Sequence, residues 1–596
     1  MLESMPQRGV DDVGVTRAGR ALVAHRVRWT TDDARRERQP LRSTDGRVRL
    51  VYDGRVDNRD EIAAHLQVPR DATDGQLLVE LIAADGPDAL ARCVGEFALA
   101  WWRDDGRALG LARDSLGMRP LYYAVTPRGL LWASELQALF VPGWVTRRVN
   151  ERFLAEFLTT FPHALDETPF ADVYRLPQAH LLEVVNARVV TRKYWSTRVL
   201  EERRVADGQA AEEFRAHLAV AVGACVRASK PVAFQLSGGL DSSSVVAMAR
   251  AGGMHQPAAF SLLCPGDAAA DESAYARDVA QFTGARWFPI APAADEGNPF
   301  DYILAHESLP YHAASEPFMR PLVRGAAAEG HDVMLTGLGA DQWLTPSHSR
   351  IAALVASGRL WDAARFLRDL RATRGAAGDW SWLWGAGILL LVPERIKAVG
   401  RRAAGRRDGA AWIRGEFARR TGLDERLRAS FRRAPRVRDL VVRESLVRLT
   451  GGEEATIRED AERMGTHAGV ELRHPYYDRR LVEFVLGLPD DLRYRHGQMK
   501  YILRLALQDV LPRAVVDRVG KADFTAASFA IVRTACGHTD WRNLRSADRG
   551  WVDADVVQKL TREFEACRTC SPACAAAAAG LWCVAALEAW LRRAFP

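Results

Sequence analysis

Two periods of apolar and polar residues divide this chain. Up to about residue 195, short apolar runs alternate with turn residues, as in RVRLVYDGRVDNRDE, GEFALAWWRDDGRALGLARD and GLLWASE. Such runs predict strands. Asp53-Gly54 and Asp105-Gly106 stand between apolar runs, where Asp-Gly predicts a hairpin turn. RVVTRKYWSTRVL closes this part, and the polar stretch EERRVADGQAAEEF reads as a linker. From about residue 210 the pattern changes. AAEEFRAHLAVAVGACVRA predicts an amphipathic helix, PVAFQLS a buried strand, and SSSVVAMARAGG a helix with a glycine stop. AAFSLLC, ARWFPI and HDVMLTG predict further strands, and SAYARDVAQFTGA a helix. Strand–helix alternation of this kind predicts a parallel sheet covered by helices. Beyond about residue 350 the pattern is mostly helical, with no solenoid repeat. The pattern therefore divides the chain into a β-rich unit over 1–200 and an α/β unit over 205–596.

Composition narrows the class. The chain has 596 residues, 48% hydrophobic and 26% charged, which suits a globular protein with large cores. A net charge of +7 is too mild to imply nucleic acid and suits an anionic ligand. The N-terminal MLESMPQRGVDDVG has no apolar core, so no secretory signal is expected. The longest apolar run, Leu383 to Val392, is too short to span a bilayer. Eight cysteines without a signal predict free thiols in a cytoplasmic protein. Cys567, Cys570 and Cys574, with Cys583 beyond, have a metal-like spacing, but their alanine-rich setting favours small helix residues. HESLPYH at 306–312 lacks the HExxH spacing. The basic stretch 395–443 reads as a solvated helical face, with a leader peptide, a partner protein or pyrophosphate as its functional alternatives. The tryptophans of DWSWLW read as packing or as the lining of a peptide groove.

The chemistry centres on PVAFQLSGGLDSSSVVAMAR. A strand that ends in Ser237-Gly238-Gly239 and runs into a helix gathers backbone N–H groups at a helix N-terminus. Ser237, Ser242 and Ser243 add hydroxyls, and the whole suits phosphate oxygens. Asp241 would repel a bare phosphate, so its place there predicts Mg²⁺ between them. The motif is neither GxxxxGK[ST] nor GxGxxG.

SGGLDSS resembles the signature of PP-loop ATP pyrophosphatases, which cleave ATP between its α and β phosphates. Over nearly its full length the chain then resembles the class II asparagine synthetase family. VYDGRVDNRDE and GEFALAWWRDDGRALGLARDSLGMRPLYY resemble the family's first domain. SGGLDSSS, the Asp271-Glu272 pair, LTGLGADQ, ELRHPYYDRRLVEFVLGLP and MKYILRLAL…RVGKADF follow in the family's order. The resemblance implies a glutaminase-like (Ntn-type) α+β sandwich over 1–200. It implies a PP-loop-type parallel-sheet domain with a helical C-terminal part over 205–596.

The departures carry information. Leu2 stands where glutamine-hydrolysing members expose a cysteine, the first cysteine is Cys93, and Asp53 replaces the oxyanion-hole asparagine, while Gly54 and Asp74 remain. A glutaminase-like fold without glutaminase activity is the expectation. Leu338 replaces a glutamate of the asparagine-making members, and Gln342 a second acid. These changes resemble the β-lactam synthetases and lasso peptide cyclases, and the ELRHPYYDRR wording, with His474, is most similar to the lasso form.

The resemblance implies that a peptide carboxylate attacks the α-phosphate of ATP and that the peptide's own amine then closes an isopeptide ring. It places Ser237, Gly238, Gly239, Asp241, Ser242, Ser243, Thr336 and Gly337 at ATP and pyrophosphate. It gives Mg²⁺ to Asp241 and Asp341, and catalytic roles to Glu471, Lys500 and Lys521, with Glu471 as the base. Without the resemblance, Lys500 reads as a solvated lysine and Glu471 as an ion-pair partner of Arg473 or Arg463. A precursor peptide, a leader peptidase and a leader-binding protein are the implied partners. A β-lactam or asparagine-type ligase and a non-catalytic scaffold are the alternatives.

Overall fold

The computed structural model describes residues 1–18, 21–103, 108–160, 163–186, 188–198, 203, 205–291, 297–300, 316–345, 349–374, 410–432, 437, 439–567 and 571–595. The first part is built on a six-stranded antiparallel sheet. Its strands are β1 (Leu41–Arg42), β2 (Val48–Val56), β3 (Gly95–Arg103), β4 (Leu109–Arg113), β5 (His180–Val185) and β6 (Arg188–Lys193), in the order β6-β5-β4-β3-β2-β1. Alternate residues serve opposite faces. Leu50, Tyr52, Phe97, Leu99 and Trp101 face helices, among them α1 (Asp74–Asp85). Val51, Ala98, Ala100 and Trp102 pack against Val23, Leu121 and Leu176 on the other face. This is the α+β sandwich the sequence suggests. Asp53-Gly54 is not a hairpin turn, because both residues lie inside β2. Gly54 is needed there for close approach, since a Cβ would sit on the Glu96 carbonyl oxygen of β3. Asp105-Gly106 lies outside the described residues.

The second part carries a five-stranded parallel sheet. Its strands are β7 (Ala233–Gln235), β8 (Ala258–Leu262), β9 (Arg286–Ile290), β10 (Val333–Leu335) and β11 (Glu471–Arg473), ordered β9-β8-β7-β10-β11. Helices α2 (Asp207–Cys225), α3 (Leu240–Ala251), α4 (Ser273–Thr283) and α5 (Glu316–Ala328) accompany it. Helix α2 starts inside the stretch read as a linker, so the polar connection is shorter than the sequence suggests.

Helix α6 (Gly452–Ala468) divides the two parts. Glu459 and Glu462 on one face meet arginines of the first part: Arg113 and Arg175 reach Glu459 at 2.8 and 2.9 Å, and Arg8 pairs with Glu462. Tyr122 donates to Glu459 at 2.8 Å. The arginines, led by Arg175, overcome burial and hold the Glu459 carboxyl down at about 2. From the basic stretch, Arg420 pairs with Glu151 at 2.8 Å and Arg426 with Glu156 at 2.7 Å. Arg426, with 12% of its side chain exposed, ties this stretch to the first part, while Arg420 makes its pair at the surface, as a solvated face would. Residues 395–409, DWSWLW and HESLPYH lie outside the described residues.

Helix α7 (Pro572–Ala594) is the helical tail. It is long and apolar enough to cross a bilayer, but 72% of its apolar window is buried in the fold, as where Trp590 meets Phe170 at 5.4 Å between centroids. Cys567 and Cys574 are joined in a disulfide, which corrects the expectation that all eight cysteines are free. Cys570 lies outside the described residues.

Candidate active site

The phosphate-type loop sits where the sequence places it, between β7 and α3. Gly238 turns through φ +81° and packs against Ala276 of α4. Ser237 and Ser242 share a hydroxyl contact of 2.9 Å, and the Ser237 hydroxyl accepts the Gly239 N–H at 3.2 Å. The helix N-terminus and the loop amides thus converge on one point. The loop opens into a cavity of about 590 Å³ whose wall includes Ser237, Gly239, Asp241, Ser242, Thr336 and Gly337. Two expected contacts are corrected. Gly238 and Ser243 do not form part of that wall. Ser243 is wholly buried, because successive helical side chains point about 100° apart and only Ser242 faces the cavity.

The loop after β10 closes over α3. A Cβ on Gly337 would stand 2.7 Å from the Ser242 nitrogen, so only glycine lets the two backbones meet. The Thr336 hydroxyl shares a 2.6 Å hydrogen bond with His474 Nδ1 and accepts the Leu338 N–H. Burial, aided by Arg55 and Arg119, pushes the His474 imidazole down to about 3, so it is neutral.

Lys500 is not a solvated lysine. It is buried, its backbone is left-handed at φ +57°, and its ammonium lies 2.5 Å from Asp241 and 2.7 Å from Asp341. A left-handed non-glycine residue costs strain that surrounding contacts must sustain. Burial pulls the Lys500 ammonium towards its neutral form, and Asp241 and Asp341 outweigh it, raising its pKa above the ordinary lysine value. Lys521, largely exposed, reaches Asp341 at 2.5 Å. Burial works to raise the Asp341 carboxyl, but Lys500 and Lys521 prevail and hold it well below the usual range.

Asp241 Oδ1 is buried with no hydrogen-bond partner. An unsatisfied carboxylate oxygen beside a second carboxylate fits a hard cation. Among the described residues no cluster of three or more His, Cys, Asp or Glu could hold a metal. Two carboxylates suffice for Mg²⁺, which keeps waters and takes substrate phosphates as its other ligands.

Glu471 departs from the expectation. Along β11, residues 472 and 474 face the cavity, so 471 and 473 face away from it. Glu471 lines a separate cleft of about 70 Å³ between the two parts, together with Arg8, Asp53 and Arg119. Its carboxylate accepts from Arg119 at 2.5 Å, Thr30 at 2.6 Å and Arg473 at 3.0 Å. Burial opposes its ionisation, but Arg473 and Arg119 dominate and hold it well below the usual carboxylate range. A carboxylate so placed is a poor base and lies outside the adenylation cavity.

Sequence reasoning missed Asp460, which lines the cavity with Ile457, Ala461 and Met464. The signal was present: these four positions follow the i, i+3, i+4, i+7 stripe of α6, and an acid interrupts it. It also missed Phe318 and Phe524, whose rings lie 6.1 Å apart at the cavity.

Comparison with known proteins agrees with this geometry. A family model described as asparagine synthase matches residues 213–592, and one described as a glutamine amidotransferase domain matches residues 1–195. Amidase chyE of Penicillium rubens is 27% identical over 51% of this chain, and the match spans only about half of that relative, 48%. Asparagine synthetase [glutamine-hydrolyzing] 3 of Bacillus subtilis is 22% identical over 87% of this chain and 82% of its own length. The solved glutamine phosphoribosylpyrophosphate amidotransferase of B. subtilis matches at 15% identity over 59% of this chain and 78% of its own, with a TM-score of 0.25 that carries no argument. With an amidotransferase-type unit in front and the synthase model over most of the remainder, the chain belongs to the asparagine synthase family of ATP-dependent amide ligases.

Proposed function

We propose that this protein is a lasso peptide macrocyclase, which adenylates an aspartate or glutamate side chain of a precursor peptide and joins it to the peptide's N-terminal amine. One observation carries the reading. The cavity of about 590 Å³ combines the phosphate loop with apolar residues, among them Phe318, Met319, Leu322, Val519 and Phe524. That volume and lining suit a peptide more than free aspartate, a small molecule with two carboxylates and an ammonium. Leu338 and Gln342, neutral at positions where asparagine-making relatives carry acids, support the same choice.

In the proposed chemistry the peptide carboxylate attacks the α-phosphate and pyrophosphate departs. Ser237, Ser242, the Gly239 amide and the start of α3 receive it, with Lys500 and Lys521 drawn from their carboxylates towards the growing charge. Bound Mg²⁺ would neutralise phosphate charge, with Asp241 and Asp341 as its protein ligands. Holding both peptide ends in one cavity supplies rate through effective concentration.

The first part then acts without glutaminase activity. Three features support this. Asp53 puts a carboxylate where an oxyanion would need donors. Asp74 is closed off by Arg227 at 2.6 Å and by Arg59. No cysteine among the described residues lines the cleft, and burial pushes the Cys93 thiol up to about 12. A leader peptidase and a leader-binding protein would deliver the peptide.

The test is incubation with the precursor peptide, its leader-processing partners and Mg-ATP, with an Asp241→Ala control. Loss of one water from the peptide with stoichiometric AMP, both absent in the control, is the expected result. AMP formation with a small amino acid and an unchanged peptide mass would overturn the peptide assignment.

A further inference from the structure

Helix α6 presents one acid to the cavity. Asp460 is 7% exposed, and its neighbours on that wall, Ile457, Ala461 and Met464, are apolar. Its Oδ1 accepts from Arg463, one turn on. Its Oδ2 is buried with no hydrogen-bond partner. A buried acceptor left bare destabilises the fold, and Asp460 carries one on the wall of the cavity. Glu459 beside it differs in its charge partners: its Oε1 also lacks a hydrogen bond, but Arg113 and Arg175 stand 2.8 and 2.9 Å from that oxygen, and Tyr122 donates to the other.

We propose that Asp460 is the residue that receives the incoming amine: Oδ2 accepts a hydrogen bond from the primary amine and takes its N–H proton as it attacks the acyl-adenylate. The inference rests on the ligase reading above. The new C–N bond forms, the C–O bond to AMP breaks with its electron pair leaving on AMP, and the amine proton ends on Asp460. Glu471 cannot do this, because it faces the interdomain cleft. The groups acting on Asp460 fit the task. Burial raises its carboxyl, Arg463 pulls it down, Glu459 raises it and Arg175 lowers it, with the balance at about 6. A base poised near neutrality is both largely ionised and basic enough to accept a proton.

The test separates the two half-reactions in wild type, Asp460→Asn and Asp460→Glu. Adenylation is read as carboxylate-dependent ATP–pyrophosphate exchange, and the second step as amide product from a core peptide with a free N-terminus. Asp460→Asn keeps the side chain's shape. It is expected to retain exchange within about two-fold and to lose amide formation by about 10²–10⁴-fold. Hydroxylamine, a stronger nucleophile for its basicity, should still trap the adenylate as hydroxamate in that variant. Asp460→Glu should recover part of the amide rate. The acid limb of the wild-type amide rate, falling as pH drops through about 6, should be altered in the variants. Amide formation by Asp460→Asn at the wild-type rate, or equal loss of exchange and amide formation, would overturn the assignment. A wild-type enzyme that shows no exchange with any carboxylate would refute the ligase reading itself.

Discussion

Replacing Glu471 by glutamine removes a negative charge from a nearly closed site while keeping its shape. The side chain is 10% exposed and faces Arg119 at 2.5 Å, Arg473 at 3.0 Å and Arg55 at 3.6 Å. Breaking a buried ion pair from one side costs about 3–5 kcal/mol, because the stranded cations remain buried. Glutamine still offers one carbonyl acceptor, and a hydrogen bond to a charged group contributes about 1.5–3 kcal/mol. A net loss of about 3 kcal/mol, at the low end of the ion-pair range, follows. The pH dependence has a defined sign. The folded carboxyl lies well below its unfolded value, so its contribution is complete above about pH 4.3 and is lost as pH falls further. Calorimetric unfolding from neutral pH down to about pH 3 should therefore show a lower first transition in the variant and a flatter acid limb. Pyrophosphate exchange per folded molecule should stay near wild type. A variant as stable as wild type that adenylates normally but makes no amide would refute the structural reading and return Glu471 to the chemistry.

Lys500→Met leaves Asp241 and Asp341 facing each other without their shared cation, and should lower pyrophosphate exchange by about 10²–10³-fold while the circular dichroism spectrum is unchanged. Gly337→Ala forces a Cβ to within 2.7 Å of the Ser242 nitrogen, which should cost about 1–3 kcal/mol of stability and weaken ATP binding in titration calorimetry.

The phosphate loop was legible because its parts are contiguous: a buried strand, two glycines, an acid and a helix start state their geometry in sequence order. Thr336 and Gly337 could be placed for the same reason. Side-chain direction was harder to read. Glu471 and His474 lie in one short motif, but the pleat of β11 sends 471 to the interdomain cleft and 474 to the cavity. Ser243 and Gly238 fail likewise, since the motif names neighbours that a helix and a turn send different ways. Asp53-Gly54 carries a hairpin signal, but a nine-residue strand runs through it because β3 pairs along its whole length. Asp460 could have been found by weighing an acid against its helical stripe. Its missing partner is a tertiary fact that no local pattern holds.

The two faces of α6 bear on what the first part is for. One wall of the reaction cavity is a helix whose back is charged, and the counter-charges for that back belong to residues 1–195: Arg8, Arg113 and Arg175. Cutting the chain near residue 205 would therefore not release a free-standing ligase. It would bare Glu459 and Glu462 behind the cavity wall, and take from Arg113 and Arg175 in the detached half the carboxylate they share. Whatever chemistry the front unit carries, it has a structural task, since its arginines hold one wall of the cavity in place.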